Sequence, residues 1–281
     1  MIKRILVGLG GTPFTDVAIR RGVELAVRHG AAITGVTVID DRRIANVGPV
    51  PLGGGAYAQK MRDRRAAVSS EALKQAVAGL ETACREAGVA CRVEHETGDP
   101  FERMIAEARY SDLTVFGLRS LFDCDWGSEC GIASEPRESV IRLVSSGVRP
   151  ILAAAPQYRE VRSALIAYSG SMESAKAMRR FVQLLPWPAL RLGVVHFEAR
   201  AGQGAALVDD AVAYCRSHDL ETEGEAVAGD ARADLLPYAR ERDYDLIVMG
   251  NSLRGLLMRR LMGDTVLDVI QQADRPLFLT Q

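Results

Sequence analysis

The chain contains an internal repeat, and this repeat limits the folds open to it more than any other feature. Residues 112–117 read Asp-Leu-Thr-Val-Phe-Gly, and residues 245–250 read Asp-Leu-Ile-Val-Met-Gly. An Arg-Pro pair leading into an apolar run follows each copy, at Arg149-Pro150 and at Arg275-Pro276. Repetition of this kind is typical of a chain built from two copies of one structural unit.

The pattern inside each copy predicts the fold class. Short β-branched and aliphatic runs, typical of buried parallel strands, alternate with apolar-periodic stretches that predict helices. The connections are short, which favours parallel strands joined by right-handed helical crossovers. We therefore predict an α/β protein with two repeated doubly wound domains, residues 1–156 and 157–281. Each domain is expected to hold a mostly parallel five-stranded sheet with helices on both faces.

Glycines, prolines and capping residues set the predicted boundaries. In the first domain we predict strands over 5–7, 32–39, 89–96, 113–117 and 150–153, and helices from Thr15 or Asp16, near Leu73, after Gly98 and at Ser139. Residues 40–66 are predicted to form a mobile loop that leads into a helix. In the second domain we predict strands over 164–168, 190–197, 223–227, 245–250 and from Leu277, and helices over 175–185, around Leu207 and from Val266.

The composition argues against several classes of protein. Among 281 residues the formal net charge is −1, which gives no excess of basic charge for binding nucleic acid. No apolar run is long enough to span a bilayer, and the apolar run at the N-terminus is too short for a signal peptide. We expect a cytoplasmic protein.

The five cysteines do not predict a secreted disulfide framework, because their number is odd and the chain is long. Cys84 and Cys215 fall on helical stripes and are expected to be buried. Cys124 and Cys130 lie in an acidic segment, at a spacing that differs from zinc and thioredoxin-type sites. A redox role for that pair stays open.

One corner of the second domain has the pattern of a phosphate site. Gly250 closes an apolar strand, a basic segment follows, and Gly263 precedes a helix whose apolar face includes Val266 and Ile270. The free N–H groups and the dipole at a helix N-terminus attract anions. Both glycines are also explained as turn residues that need a positive φ.

Together these motifs resemble the universal stress protein family, specifically its tandem members with two domains in one chain. The resemblance covers nearly the whole chain. It rests on the repeated Asp-to-Gly strand, on Gly229-Asp230 before a helix, and on the final glycine, amphipathic helix and Arg275-Pro276. It implies an adenine nucleotide alpha hydrolase-like fold and regulatory binding of ATP or AMP, with Mg²⁺ as an accompanying ion.

The resemblance implies a partial binding motif in the second domain. ATP-binding members carry G-x2-G-x9-G-[ST] after the fourth strand and an aspartate after the first. Gly250 and Gly263 match the first and third glycines, Leu253 replaces the second, Asp264 replaces the Ser/Thr, and Ser169 replaces the aspartate. The expected nucleotide-binding residues are Ser169, Gly170, His196, Gly250, Asn251, Arg259, Arg260, Gly263, Asp264, Thr265 and Val266.

The departures from the motif have physical consequences. Asp264 is a good N-cap, so its carboxylate would compete with a phosphate for the same N–H donors and would repel it. Mg²⁺, or the nearby Arg254, Arg259 and Arg260, would have to offset that charge. The alternative for these arginines is a solvated helical face.

The first domain departs further from the motif. Counting back from the last strand, Arg137 and Glu138 occupy the places of Gly263 and Asp264, and Gly10 replaces the aspartate. The segment after Gly117 is acidic, which disfavours phosphate. We predict that this domain has lost nucleotide binding.

Three functions remain open. The first is a regulatory protein that binds ATP or AMP in the second domain, and the second is a stress-associated scaffold that acts through protein partners. A weak ATPase is the third, although the sequence offers no residue to orient a water, no metal-ligand spacing and no catalytic motif. In the family the final strands of two domains pair, so the resemblance implies that the two halves of this chain pair through their final strands. The partners we expect are an adenine nucleotide and a second copy or another protein. We expect neither nucleic acid nor a membrane.

Overall fold

The structure is a computed structural model of the 281-residue chain. It describes residues 1–10, 13–39, 47, 50, 53–97, 100–117, 150–199, 202, 204–250 and 265–280. The chain divides into two compact units: the first is Ile2–Val148, and the second is Arg149–Gln281 together with Met1. This division is based on compactness, whereas the domain boundary predicted after residue 156 is based on the sequence repeat. That boundary therefore stays a prediction.

The first unit contains a parallel sheet with the strand order β3-β2-β1-β4. Its elements in chain order are β1 Arg4–Leu9, α1 Pro13–His29, β2 Ala32–Ile39, α2 Gly55–Glu86, β3 Cys91–Thr97, α3 Pro100–Ala108 and β4 Leu113–Gly117. The chain winds from β1 outward to β3 and then returns to the other side of β1 with β4.

The second unit repeats this winding and adds one strand. Its sheet order is β5-β10-β9-β6-β7-β8, parallel except between β5 and β10. The elements are β5 Ile151–Ala154, β6 Ser163–Ala167, α4 Met172–Leu184, β7 Arg191–Glu198, α5 Ala205–Arg216, β8 Thr222–Ala228, α6 Ala231–Glu241, β9 Leu246–Gly250, α7 Thr265–Gln272 and β10 Leu277–Thr280.

The predicted fold class is confirmed. Each unit is a mostly parallel α/β sheet built from βαβ crossovers. The strand predicted over 150–153 forms as β5, but it belongs to the second unit, where Leu152 lies opposite Phe278 of β10. The final strands of the two repeats therefore pair with each other, as the resemblance implied.

Burial explains the apolar runs in the strands. Ile5, Leu6 and Val7 of β1 are fully buried, and so are Leu246 and Ile247 of β9. Strands covered by helices on both faces need apolar side chains in both directions, which is why these segments read as continuous runs rather than as alternation.

The aspartate that begins the repeated motif stabilises the amino edge of each sheet. Asp112 Oδ2 accepts hydrogen bonds from the backbone N–H groups of Lys3 and Arg4, at 2.8 and 3.0 Å. Asp245 Oδ2 accepts the N–H groups of Arg162 and Ser163, at 3.0 and 3.2 Å. In both units the carboxylate holds the start of one strand beside the start of its neighbour, so this residue of the motif serves the fold.

The Arg-Pro pair of the second unit also serves the fold. Arg275 is 4% exposed, and its Nη1 donates to the carbonyl oxygen of Ala239 at 2.8 Å and to that of Tyr244. Ala239 lies in the last turn of α6, where its carbonyl oxygen also accepts the N–H of Tyr244 at 2.9 Å. The guanidinium therefore ties the end of α6 to the segment that leads into β9.

Several predicted boundaries are corrected. Helix α1 begins at Pro13, before the predicted caps Thr15 and Asp16, because proline is favourable in the first turn of a helix. Helix α4 begins at Met172, with Ser171 as its N-cap, instead of at Ala175.

The largest correction concerns α2. Residues 55–66 were predicted as part of a loop, but they are the first turns of a 32-residue helix. Ala58 and Arg65 lie on the same buried stripe as Leu73, Leu80 and Cys84, so one face runs the length of the helix. A buried arginine in place of an apolar residue hid this stripe from the sequence pattern.

Other predictions fall outside the described residues. They concern the helix at Ser139, the cysteines Cys124 and Cys130, and the replacements Arg137 and Glu138. In the described parts of the chain, no helix is both long and apolar enough to cross a membrane.

Candidate functional site

The predicted site of the second unit lies where β6 and β9 end side by side. Ala167 of β6 is opposite Met249 of β9, so Ser169 and Gly250 follow neighbouring strands at the carboxyl edge of the sheet. The strand order reverses here, since the chain moves from β6 to β7 and β8 on one side and reaches β9 on the other. Such a reversal opens a crevice at the carboxyl ends of the strands, where ligands bind in open α/β sheets.

A turn with three serines forms one side of this crevice. Ser169 Oγ lies 3.0 Å from Ser171 Oγ and 3.3 Å from Ser174 Oγ. Ser171 caps helix α4 by accepting the N–H of Ser174 at 3.2 Å. Ser169 thus supports the entry into the helix through a neutral hydroxyl, at the position where the resemblance implied an aspartate.

Gly170 is required in this turn for two reasons. Its φ is +75°, a conformation that other residues adopt only with strain. A Cβ at this position would also lie 2.8 Å from Leu207 Cδ1 in α5. The turn after β6 therefore packs directly on α5.

Gly250 forms the other side of the crevice, and packing explains it. A Cβ on Gly250 would lie 2.3 Å from the carbonyl oxygen of Glu173 and 2.7 Å from the nitrogen of Ser174. The first turn of α4 thus lies against this glycine with no room for a side chain. The expectation of a positive φ is wrong for Gly250, whose φ is outside that range.

His196 belongs to the same edge. Its Nδ1 is 2.9 Å from the carbonyl oxygen of Tyr168, so Nδ1 carries a proton and donates. A Cβ on Gly204 would lie 2.3 Å from His196 Cδ2, so the ring sits between the turn after β6 and the start of α5. Burial raises the pKa of Tyr168, and the nearby Asp210 and Cys215 raise it further, so its phenol is neutral near pH 7.

Glu198 is a residue that the sequence analysis missed. Its side chain is nearly enclosed, at 7% exposure for the residue, and its carboxylate accepts the N–H groups of Gly202 and Gly204 at 2.7 and 2.6 Å. It thereby holds Gly202 and Gly204 near the end of β7, and Gly204 packs against the His196 ring. The sequence pattern that could have revealed it is an acidic residue at a strand end, followed by the closely spaced Gly202 and Gly204.

The remaining predicted residues divide into two groups. Thr265 and Val266 begin helix α7, as predicted, and Val266 is buried. Asn251, Arg259, Arg260, Gly263 and Asp264 lie outside the described residues. The structure therefore brings Ser169, Gly170, His196 and Gly250 to one edge of the sheet and leaves the contacts of the loop between Gly250 and α7 as predictions.

The described part of this edge is polar. It offers hydroxyls, backbone N–H groups and one imidazole. Among the residues that the structure describes, no group of three His, Cys, Asp or Glu side chains is arranged to hold a metal. Such an edge can bind a ligand by hydrogen bonds, and countercharge for an anion would have to come from the loop before α7.

Comparisons with known proteins agree with this architecture. A model of the universal stress protein family matches the chain twice, over residues 1–121 and 160–281. A universal stress protein of Synechocystis sp. is 22% identical and aligns over 98% of each chain. The crystal structure of a universal stress protein from Archaeoglobus fulgidus covers 99% of this chain and 98% of that chain, with a TM-score of 0.66 and 15% identity.

A further solved relative carries a ligand. This universal stress protein family protein from Arabidopsis thaliana has AMP bound. It matches 42% of this chain and 90% of that chain at 12% identity, with a TM-score of 0.34.

Proposed function

The chain belongs to the universal stress protein family, and on this basis we propose that it is a regulatory protein that binds an adenine nucleotide, ATP or AMP, in its second unit. The proposed contacts are Ser169, Gly170, His196, Gly250, Asn251, Arg259, Arg260, Gly263, Asp264, Thr265 and Val266.

The observation that supports this proposal is the crevice between β6 and β9 combined with the start of α7. Ser169 and Gly250 border the crevice, and α7 begins at Thr265, directly after Gly263-Asp264. A helix N-terminus supplies N–H donors and the positive end of a dipole to a phosphate. In the first unit Arg137 and Glu138 stand at the positions of Gly263 and Asp264, so only the second unit keeps the glycine.

Charge at the loop decides which nucleotide is held. The carboxylate of Asp264 disfavours a bare triphosphate. Asp264 would help to hold a Mg²⁺ ion, whose positive charge would offset the repulsion between the carboxylate and the phosphates. Arg259 and Arg260 add positive charge for the same phosphates. We therefore expect ATP to bind more tightly with Mg²⁺ than without it, and AMP to depend on Mg²⁺ much less.

Isothermal titration of the full chain with ATP and Mg²⁺ tests the proposal. We expect about one site per chain, and loss of that site in Gly263→Val, because a β-branched side chain blocks the approach of backbone to phosphate. The matched control is Arg137→Val, the same new side chain at the equivalent position of the first unit, which should leave binding unchanged. Flat traces for the unsubstituted protein, with a folded circular dichroism spectrum, would overturn the proposal.

A second function is favoured by the packing of Gly250. Because α4 alone accounts for this glycine, and Ser169 replaces the aspartate, the edge is also compatible with a scaffold that binds no nucleotide. Such a protein would act through a second copy of the chain or another protein. It would show no heat with nucleotide at millimolar concentration, and light scattering would find a stable dimer at micromolar protein.

A further inference from the structure

The Gly229-Asp230 motif found in the sequence has no part in the proposed nucleotide contacts. Asp230 caps α6 by accepting the N–H of Arg232 at 3.1 Å, and its own N–H donates to Asp234 Oδ2 at 2.8 Å. A Cβ on Gly229 would lie 2.5 Å from the same Asp234 oxygen, so the glycine leaves room for this exchange of hydrogen bonds. The motif therefore fixes the first turn of α6 and, with it, the backbone of Arg232.

Arg232 reaches from α6 to α7, which packs beside it. Its Nε forms an ion pair with Asp268 Oδ2. The acid is the buried partner: the Asp268 side chain is 11% exposed, whereas that of Arg232 is 46% exposed. Because water has little access to the carboxylate, the guanidinium is an important countercharge for it.

Asp268 lies in the first turn of α7, the turn that the proposed function assigns to the phosphates. A carboxylate there opposes the N–H groups and the dipole that attract an anion. Asp264, directly before the helix, carries a negative charge as well. The ion pair with Arg232 offsets the charge of Asp268, so the start of α7 keeps more of its attraction for a phosphate.

The sequence of the first unit lacks both partners of this ion pair. Phe101 stands at the position of Arg232 when the two Gly-Asp motifs are aligned. Arg142 stands at the position of Asp268 when the two Arg-Pro pairs are aligned. The sequence therefore carries this pair of residues in the unit that also keeps Gly263, the last glycine of the binding motif.

We propose that Arg232 is a positioning residue of the nucleotide site and acts on it through Asp268. By pairing with that carboxylate, the guanidinium offsets a negative charge in the first turn of α7 and so permits the phosphates of the nucleotide to bind there. This inference rests on the proposed function and adds to it a residue of α6, a helix that supplies none of the proposed contacts.

Titration calorimetry of the full chain with ATP and Mg²⁺ tests this role in Arg232→Gln, in Asp268→Asn and in the double variant. Each single variant breaks the ion pair, but the two leave opposite charges behind, the carboxylate in the first and the guanidinium in the second. A pair that served only the fold would change binding in the same direction in both variants.

The matched control is Arg240→Gln. Arg240 belongs to the same helix, its side chain is 48% exposed, and its Nε donates to Asp274 Oδ2 at 2.9 Å. Asp274 follows the last residue of α7, so this second ion pair lies at the opposite end of the helix from the proposed phosphate contacts.

We expect Arg232→Gln to weaken binding about fivefold, a moderate effect because nearly half of the Arg232 side chain is in water. Asp268→Asn should bind at least as tightly as the unsubstituted protein, and the double variant should return to within about twofold of it. Arg240→Gln should bind like the unsubstituted protein. Urea denaturation should show a loss of stability in both single variants, so that stability falls in Asp268→Asn while affinity does not.

Three results would overturn this inference and leave the proposed function standing. In the first, Arg232→Gln binds as tightly as the unsubstituted protein. In the second, Asp268→Asn and the double variant are weakened as much as Arg232→Gln, which would assign the ion pair to the fold alone. In the third, Arg240→Gln is weakened to the same extent. Flat traces with the unsubstituted protein would overturn the proposed function, and this inference with it.

Discussion

The two units of this protein carry the same motif, and comparing them separates the residues that build the fold from those that mark the site. Asp112 and Asp245 each accept two backbone N–H groups, from equivalent residues at the amino edge of their own sheets. Gly117 and Gly250 both end a strand where a helix leaves no room for a Cβ: the added atom would lie 2.3 Å from Phe14 Cβ in one unit and 2.3 Å from the Glu173 carbonyl oxygen in the other. Both motif residues are explained without a ligand.

The units differ at the residues that a ligand would touch. Gly10 follows β1 where Ser169 follows β6, and Arg137-Glu138 stand where Gly263-Asp264 precede α7. Helix α2 has 32 residues, whereas α5, its counterpart in the second unit, has 12. The strand motif shared by both units therefore identifies the family, whereas the replacements at Gly10 and Arg137-Glu138 indicate which unit can bind a nucleotide.

The largest effect is expected from adding a methyl group at the shared glycines. Gly250→Ala and Gly117→Ala should each lower the free energy of unfolding by about 3 kcal/mol, because the first turn of a helix has to move away from its sheet. Urea denaturation followed by circular dichroism measures the loss. The control is Gly79→Ala on α2, where the nearest atom to a Cβ is 3.9 Å away and helix propensity favours alanine. A tolerated Gly117→Ala would break the equivalence of the two units.

Much of the fold could be predicted from the sequence, because local signals were strong. The boundaries of β2 and β4 match the predictions over 32–39 and 113–117, since each strand is an apolar run that ends at a clear change in composition. The start of α2 was missed because two glycines precede it, a third is its first residue, and an arginine occupies its buried face. Local pattern cannot show that an arginine lies on the buried face of a helix.

The site was predictable only in part. Ser169, Gly170, His196 and Gly250 share one edge because carboxyl ends of parallel strands meet there, a rule that needs no coordinates. Glu198 was missed, since its function depends on hydrogen bonds across a loop.

A second, smaller effect is expected from the shared aspartates. Asp245→Ala should cost about 2 kcal/mol, because two backbone N–H groups and the hydroxyl of Ser163 lose their acceptor. Asp112→Ala should cost somewhat less, since within the described residues its carboxylate accepts two backbone N–H groups and no hydroxyl. Urea denaturation measures both, and Asp209→Ala, at an exposed position of α5, is the control.

Nucleotide affinity should stay unchanged in these variants, although their stability falls. Asp245 lies at the amino edge of the sheet, and the proposed site lies at the carboxyl edge. A change in nucleotide affinity in folded Asp245→Ala would contradict this assignment of the motif to the fold.

A third experiment sharpens the difference at the strand ends. Ser169→Asp introduces the carboxylate that the resemblance implied at this position. We expect it to tighten Mg²⁺-ATP binding about fivefold, or ~1 kcal/mol, since a carboxylate accepts stronger hydrogen bonds than a hydroxyl. The matched variant Gly10→Asp should create no binding in the first unit, because Arg137 and Glu138 remain in place of the glycine and the helix cap. Titration calorimetry compares the two, and equal gains in both units would show that the loop before α7 does not decide binding.

The smallest effect is expected at the Arg-Pro pair, where Asp274 has no acidic counterpart in the first unit because Val148 stands at that position. Burial alone would raise the pKa of Asp274, but hydrogen bonds from Arg275 and Arg240 outweigh it and lower the pKa to about 2. A carboxyl whose pKa is lower in the folded protein stabilises the fold above its unfolded pKa, and this stabilisation is lost as the pH falls from about 4 towards 2. Since the side chain is 47% exposed, solvent screening should limit the effect to less than about 1 kcal/mol.

Asp274→Asn should therefore be slightly less stable than the parent at pH 7, and the difference should vanish near pH 2 in thermal unfolding scans. A stability difference that stays constant over this pH range would mean that Asp274 acts through packing. Its charge would then add no stability to the second unit over the first, where Val148 stands at this position.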